Sequence, residues 1–204
     1  MTSSGQSLEG LDLPVPLWGH SMVMLDSSSV LIIGGKSYGS NDHSLSSTYL
    51  FDTSSNEWTP GPPLNTGRYL HGTAYLTDSG TDDRIIVVAG GKSTDGAALS
   101  TVEIMNSDMN WKQGKIVKTV FLNNVLNDPC PGPEMLLPMH SLSLVPFYND
   151  ILRLGGRTRD DYLDSIARLS CGDGQCKWSE MAAKLSVPRV GHLAIPLPHN
   201  IAKN

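Results

Sequence analysis

Residues 68–111 read RYLHGTAYL (68–76), RIIVVAGG (84–91), STVEIMN (100–106) and then Asn110–Trp111. Three short apolar, β-branched runs stand between clusters of Asp, Gly, Ser and Thr. That pattern describes strands joined by tight turns. The middle run ends in Gly90–Gly91. A double glycine at a strand end marks backbone that needs positive φ or closely approaches a neighbour.

The same order of signals flanks this stretch on both sides. Gly34–Gly35, Gly90–Gly91 and Gly155–Gly156 recur at spacings of 56 and 65 residues. Trp58, Trp111 and Trp178 recur at 53 and 67, and His20, His71, His140 and His192 at 51, 69 and 52. Three markers in one order with a period near fifty indicate a four-stranded repeating unit, a propeller blade.

The motifs resemble the kelch repeat. They are VLIIGG, STYLFDTSSNEW and PGPPLNTGRYLHG in the first copy; RIIVVAGG and STVEIMNSDMNW in the second; DILRLGG and DSIARLSCGDGQCKW in the third. The resemblance implies an all-β, kelch-type β-propeller segment over residues 8–197. It has three four-stranded blades (17–64, 65–138 with an insertion at 113–138, and 139–188) and the first strand of another at 189–197. Residues 1–7 are a polar lead-in and 198–204 a tail. Strands are expected near Leu17–Leu25, Val30–Ile33, Thr48–Phe51 and Glu57–Thr59 in blade one, and TVFLNNVL (119–126) is expected to extend an outer strand or form a hairpin.

LPVPLWGH (13–20) and LSVPRVGH (185–192) share Leu, Val-Pro and Gly-His in one register. The chain therefore begins and ends at the same point of its repeat. A propeller closes as a ring of about 4 to 8 blades, so three blades leave two apolar faces open. The expectation is a piece of a longer protein, or closure by self-association through those faces.

Composition narrows the function. The formal net charge is −5, which carries no polyanion signature and argues against nucleic acid as a partner. No apolar run approaches a membrane span, and MTSSGQSLEGLDLPVP has neither the basic start nor the apolar core of a secretory signal. These point to the cytoplasm. The three cysteines make no disulfide framework, and in a reducing compartment Cys171 and Cys176 are expected as free thiols, although a hairpin would bring them face to face.

The glycine pairs and Trp58, Trp111 and Trp178 read as structural, the tryptophans packing between blades. GGKS (34–37) and GGKST (90–94) imitate the tail of a phosphate loop but lack its earlier glycine and following helix. The histidines read as one repeat position on the innermost strand. A metal ring is disfavoured, because ligands from separate blades would have to converge on bonds of about 2.1 Å. No metal, cofactor or catalytic residue is expected, since no non-repeating cluster of acids, bases and nucleophiles stands out. Propellers resembling kelch do include a galactose-oxidase-like copper enzyme and a sialic-acid mutarotase. A carbohydrate-related enzyme or glycan binder is therefore the alternative, and a truncated non-functional copy a third.

Strand alternation puts the loops entering each first strand and the loops following each second strand at one end. The expected partner-binding residues there are Lys36, Tyr38, Arg68, Lys92, Arg157, Arg159, Tyr162 and Arg189. In kelch domains this face grips partner peptides, often through arginines. Arg157 and Arg159 beside Arg189 would form a basic notch for an acidic protein or peptide, unless they pair locally with Asp160 and Asp161.

Overall fold

The computed structural model describes residues 12–38, 43–77, 84–105, 111–113, 133–172 and 175–196. The lead-in, the tail, TVFLNNVL, Asn41, Asp42 and Cys130 lie outside them. The described residues form fourteen strands: β1 (Leu17–Trp18), β2 (Ser21–Met24), β3 (Ser29–Ile33), β4 (Lys36–Ser37), β5 (Thr48–Asp52), β6 (Glu57–Gly61), β7 (Gly72–Thr77), β8 (Arg84–Ala89), β9 (Val102–Met105), β10 (Trp111–Gln113), β11 (Ser143–Phe147), β12 (Asp150–Leu154), β13 (Ser165–Gly172) and β14 (Gln175–Lys184). They assemble into antiparallel sheets β2-β3-β5-β6, β7-β8-β9-β10 and β11-β12-β13-β14, with β1 paired to β4. The architecture is all-β and propeller-like, with blades in chain order.

Period-two alternation explains how one strand serves two neighbours. On β8, Ile86 and Val88 join Val23, Leu31, Ile33, Leu64 and Met105 in the core between blades one and two. The intervening Ile85, Val87 and Ala89 join Leu142, Leu144, Ile151, Leu169 and Trp178 in the core between blades two and three. A strand buried on both faces reads as an unbroken apolar run, which is why RIIVVA is uninterrupted.

The glycine pairs dock one blade on the next. Both members have positive φ in every copy: 58° and 104° at Gly34 and Gly35, 67° and 97° at Gly90 and Gly91, 55° and 108° at Gly155 and Gly156. The second glycine donates its N–H to a carbonyl of the following repeat: Gly35 to Arg68 (2.8 Å), Gly91 to Met139 (2.9 Å), Gly156 to Arg189 (2.8 Å). A Cβ on the first glycine would lie 2.6, 2.6 and 2.5 Å from those same carbonyl oxygens. No side chain fits there.

Two expectations about the inner strand need correction. The stretch 17–25 is not one strand, because Gly19 at φ 64° breaks it and redirects Leu17–Trp18 onto β4. Residues 189–196 form no strand, since among the described residues none pairs with them in a ladder. They still make the repeat's docking bonds, and Ala194 N–H reaches Ser143 Oγ at 2.9 Å.

The histidines are also misplaced by the sequence reading. The equivalent left-handed residues are Gly19, Leu70, Ser141 and Gly191, linked in series by Leu70 N–H to Gly19 O (2.7 Å), Ser141 N–H to Leu70 O (2.7 Å) and Gly191 N–H to Ser141 O (2.8 Å). The following residues are His20, His71, Leu142 and His192. His140 therefore stands two places earlier than the others. His20, His71 and His192 lie just ahead of the inner-strand position, outside the strands. His71 and His192 pack their imidazoles on Gly34 and Gly155, and Leu142 takes that place on Gly90.

Candidate functional site

Each glycine pair is followed directly by a cation: Lys36, Lys92 and Arg157. Each of these bridges backward to the entering segment of its own blade, Lys36 to Trp18, Lys92 to Tyr69 and Arg157 to His140. The bridges at Lys92 are 2.7 and 3.1 Å and those at Arg157 2.8 and 2.9 Å. The fold thus repeats one backbone cradle three times and places a cation at the same end of each sheet.

The three cations differ in their surroundings. Lys36 Nζ lies 5.9 Å from the Trp18 ring centre and 5.2 Å from that of Tyr69, within cation–π range of both. Tyr38 stands 6.5 Å from Trp18 and is 72% exposed. Lys92 is half-buried, whereas Arg157 and Arg159 are exposed. The Arg157 guanidinium sits 4.8 Å over the ring of exposed Tyr162. Among the described residues no ion pair joins Arg157 or Arg159 to Asp160 or Asp161.

A cleft of about 560 Å³ opens between blades two and three, walled by Lys92, Asp95, His140, Arg157, Thr158 and Arg159. Its floor includes His140, whose pKa falls to about 4 through burial first and then the nearby charges of Lys92 and Arg157. At neutral pH the imidazole is uncharged, and the cleft's positive potential comes from Lys92, Arg157 and Arg159 against one carboxylate, Asp95.

Two other expected partner residues lie elsewhere. Arg68 is fully buried and belongs to the seam. Its guanidinium donates to Gly90 O (2.8 Å), Thr101 O (3.1 Å), Thr101 Oγ1 (3.1 Å) and Glu103 Oε1 (2.7 Å). Arg189 is exposed but does not line the cleft.

Sequence reasoning passed over Glu103 and Arg153. Glu103 has no exposed surface and also accepts from Asn65 N–H (2.7 Å), Asn65 Nδ2 (3.0 Å) and Thr66 N–H (3.0 Å). It anchors the crossing from blade one to blade two. Arg153 donates to Gly155 O (2.9 Å), Ser165 Oγ (3.0 Å) and Glu180 (2.9 Å). Two arginines from different repeat positions thus reach an equivalent glycine carbonyl and an equivalent Thr or Ser, with carboxylates from different strands. The available signal was a charge inside an apolar strand, VEIM and DILRL, which burial tolerates only with partners.

The free-thiol expectation is corrected too. Cys176 is disulfide-bonded, and the residue opposite it in the β13–β14 ladder is Cys171. The hairpin register brings these positions together. A disulfide weighs against the reducing compartment from which free thiols were inferred. Among the described residues no group of three or more His, Cys, Asp or Glu is placed to hold a metal ion, and no helix is long and apolar enough to cross a membrane.

Comparison with known proteins bears on the fold. A family model described as the Kelch motif matches residues 16–65. The solved structure of YjhT superimposes with a TM-score of 0.61 at 12% identity, over 86% of this chain and 54% of that one. The chain thus spans about half the length of that structure. No curated protein matches the sequence.

Proposed function

We propose that this chain, with a Kelch motif at residues 16–65 and a fold of consecutive propeller blades, is a protein-interaction module that holds an acidic segment of a partner across the face carrying Lys36, Lys92 and Arg157. One observation carries this reading: the cations recur at a single repeat position, and the Arg157–Arg159 end opens into a cleft with a net positive wall. A carboxylate entering the cleft would meet two guanidinium forks and an ammonium. Charge-assisted hydrogen bonds of this kind contribute about 1.5–3 kcal/mol each. Tyr38 beside Trp18 and Tyr162 beside Arg157 supply exposed aromatic surface, a residue type favoured in recognition.

The test is binding of fluorescent Glu-rich peptides to the full chain and to Arg157→Ala/Arg159→Ala. Affinity is expected to fall at least tenfold in the double variant and to weaken with added salt. Equal affinity for both proteins, or for peptides with Glu replaced by Gln, overturns the reading.

A small acidic ligand, such as a sugar carboxylate, is the second reading. The cleft's volume favours it, being within the size range of small-molecule sites. Thermal stabilisation by a sugar acid, lost in the same double variant, would favour this reading over the peptide.

A further inference from the structure

The turn that follows Lys92 is a ridge with a cleft on each side. On one side lies the cationic cleft between blades two and three. On the other, between blades one and two, a second cleft of about 570 Å³ opens. Its lining carries five hydroxyls, those of Ser44, Ser46, Thr66, Ser93 and Thr94, and one carboxylate, Asp95. Among the described residues no cation lines it. Lys92, Arg157 and Arg159 line only the first cleft, whereas Asp95 lines both.

The second cleft is held in shape by bonds across the seam. Ser44 is 8% exposed. Its N–H donates to Thr94 Oγ1 (3.2 Å), and its hydroxyl lies 2.8 Å from the same atom and donates to Gly67 O (3.0 Å). The ridge is a tight turn: Ser93 N–H donates to Ala97 O (3.0 Å) and Gly96 N–H to Ser93 O (2.9 Å). Asp95 is exposed on it. Its Oδ1 accepts from the Ser93 hydroxyl and from Ala97 N–H (3.2 Å), while Oδ2 accepts from no described residue. Those bonds, the Ser93 hydroxyl first, hold the carboxyl below the usual carboxylate range, so it is charged at neutral pH.

An oriented carboxylate among hydroxyls, with no positive group in the lining, suits an ammonium. That group brings a charge and three donors and no acceptor. On the far side of the ridge the same ammonium would face Lys92, Arg157 and Arg159, and like charges repel. A chain lying across the ridge therefore meets opposite electrostatics on its two sides. We propose that the hydroxyl-lined cleft takes a lysine side chain of the partner, beside the acidic residue held by Arg157 and Arg159, so that the recognised segment carries adjacent opposite charges. This rests on the acidic-segment reading above and adds which neighbour the acidic residue has.

The test compares three fluorescent peptides on the full chain: a Glu run flanked by Gln at both ends, and the same run with Lys in place of the N-terminal or the C-terminal Gln. One of the two Lys peptides is expected to bind about three- to fivefold tighter than the Gln-flanked one, the worth of an exposed ion pair. Asp95→Asn keeps an oxygen for Ser93 and Ala97. It is expected to remove that gain and to bind the Gln-flanked peptide about twofold tighter, because the carboxylate opposing the cationic wall is gone. Glu discrimination with no gain from Lys at either end, a gain that survives Asp95→Asn, or an equal loss by Asp95→Asn on all three peptides overturns the inference and leaves the acidic-segment reading standing. Equal binding after the whole Glu run is replaced by Gln fails that reading, and this inference with it.

Discussion

Trp178 and Trp58 occupy the same repeat position and live differently. Trp178 is 4% exposed, packs in the core between blades two and three, and donates its indole N–H to Pro133 O at 3.0 Å. Trp58 is only half-buried and stacks on Phe51 of its own blade at 4.6 Å between ring centres. The residue and the ladder are the same; the neighbour is what differs. A repeat fixes where a side chain points, and the adjoining blade decides how much that direction contributes. The two arginine–glutamate pairs, at different repeat positions, also differ in cover. Arg68–Glu103 is sealed on both sides, whereas Glu180, the partner of Arg153, is 47% exposed.

That contrast breaks first at Glu103. Glu103→Ala is expected to cost about 3–5 kcal/mol, because it strands a buried guanidinium and releases the blade crossing. Chemical denaturation measures it, and a loss under about 1 kcal/mol would show that the buried pair does not hold the seam. Glu180→Ala, on the half-exposed pair, is expected to cost less than about 1 kcal/mol.

Trp178→Ala is next, at about 3–5 kcal/mol for a filled core position. Trp178→Phe separates the ring from the indole N–H, and about 1 kcal/mol of the loss is expected to remain, from the unpaired Pro133 carbonyl. Trp58→Ala is expected to cost far less than Trp178→Ala. Equal costs at the two positions would remove the neighbour from the explanation.

Acid sharpens the comparison in a different way. His71 sits in the inner seam with its pKa lowered to about 3, by burial first and then by the charges of Arg68 and His20, and its Nε2 lies 2.7 Å from Ser21 Oγ. The unfolded chain takes up this proton near 6.5, while the folded one does so only near 3. Stability is therefore full above about 6.5 and falls as pH drops through that window. Melting temperatures measured between pH 7 and pH 4 are expected to decline, and more shallowly for His71→Gln. An unchanged slope in the variant would exclude His71 as the source.

Much of the fold was legible because its signals are local. Gly-Gly, the β-branched runs and the Trp positions depend on backbone conformation and strand period, both written in short windows. The cations at 36, 92 and 157 were legible for the same reason, since each follows its glycine pair. What stayed hidden depends on contacts far apart in sequence. Arg68 looked like a loop residue because its acceptors lie at 90, 101 and 103. His140 looked equivalent to His71 because spacing alone cannot register a shift of two residues, which only the left-handed positions reveal. The 189–196 strand failed because a strand is a property of a pair, and its apolar text carries no word about the partner.

Each blade is held through the glycine amide it offers to the next repeat. Residue-resolved hydrogen exchange of Gly35, Gly91 and Gly156 tests this. Gly35 and Gly91 are expected to exchange as slowly as the β8 core amides. Gly156, whose acceptor lies in the exposed 189–196 segment, is expected to exchange faster than either. Fast exchange at Gly35 and Gly91, at the rate of exposed loop amides, would show that these amides do not hold the blades together.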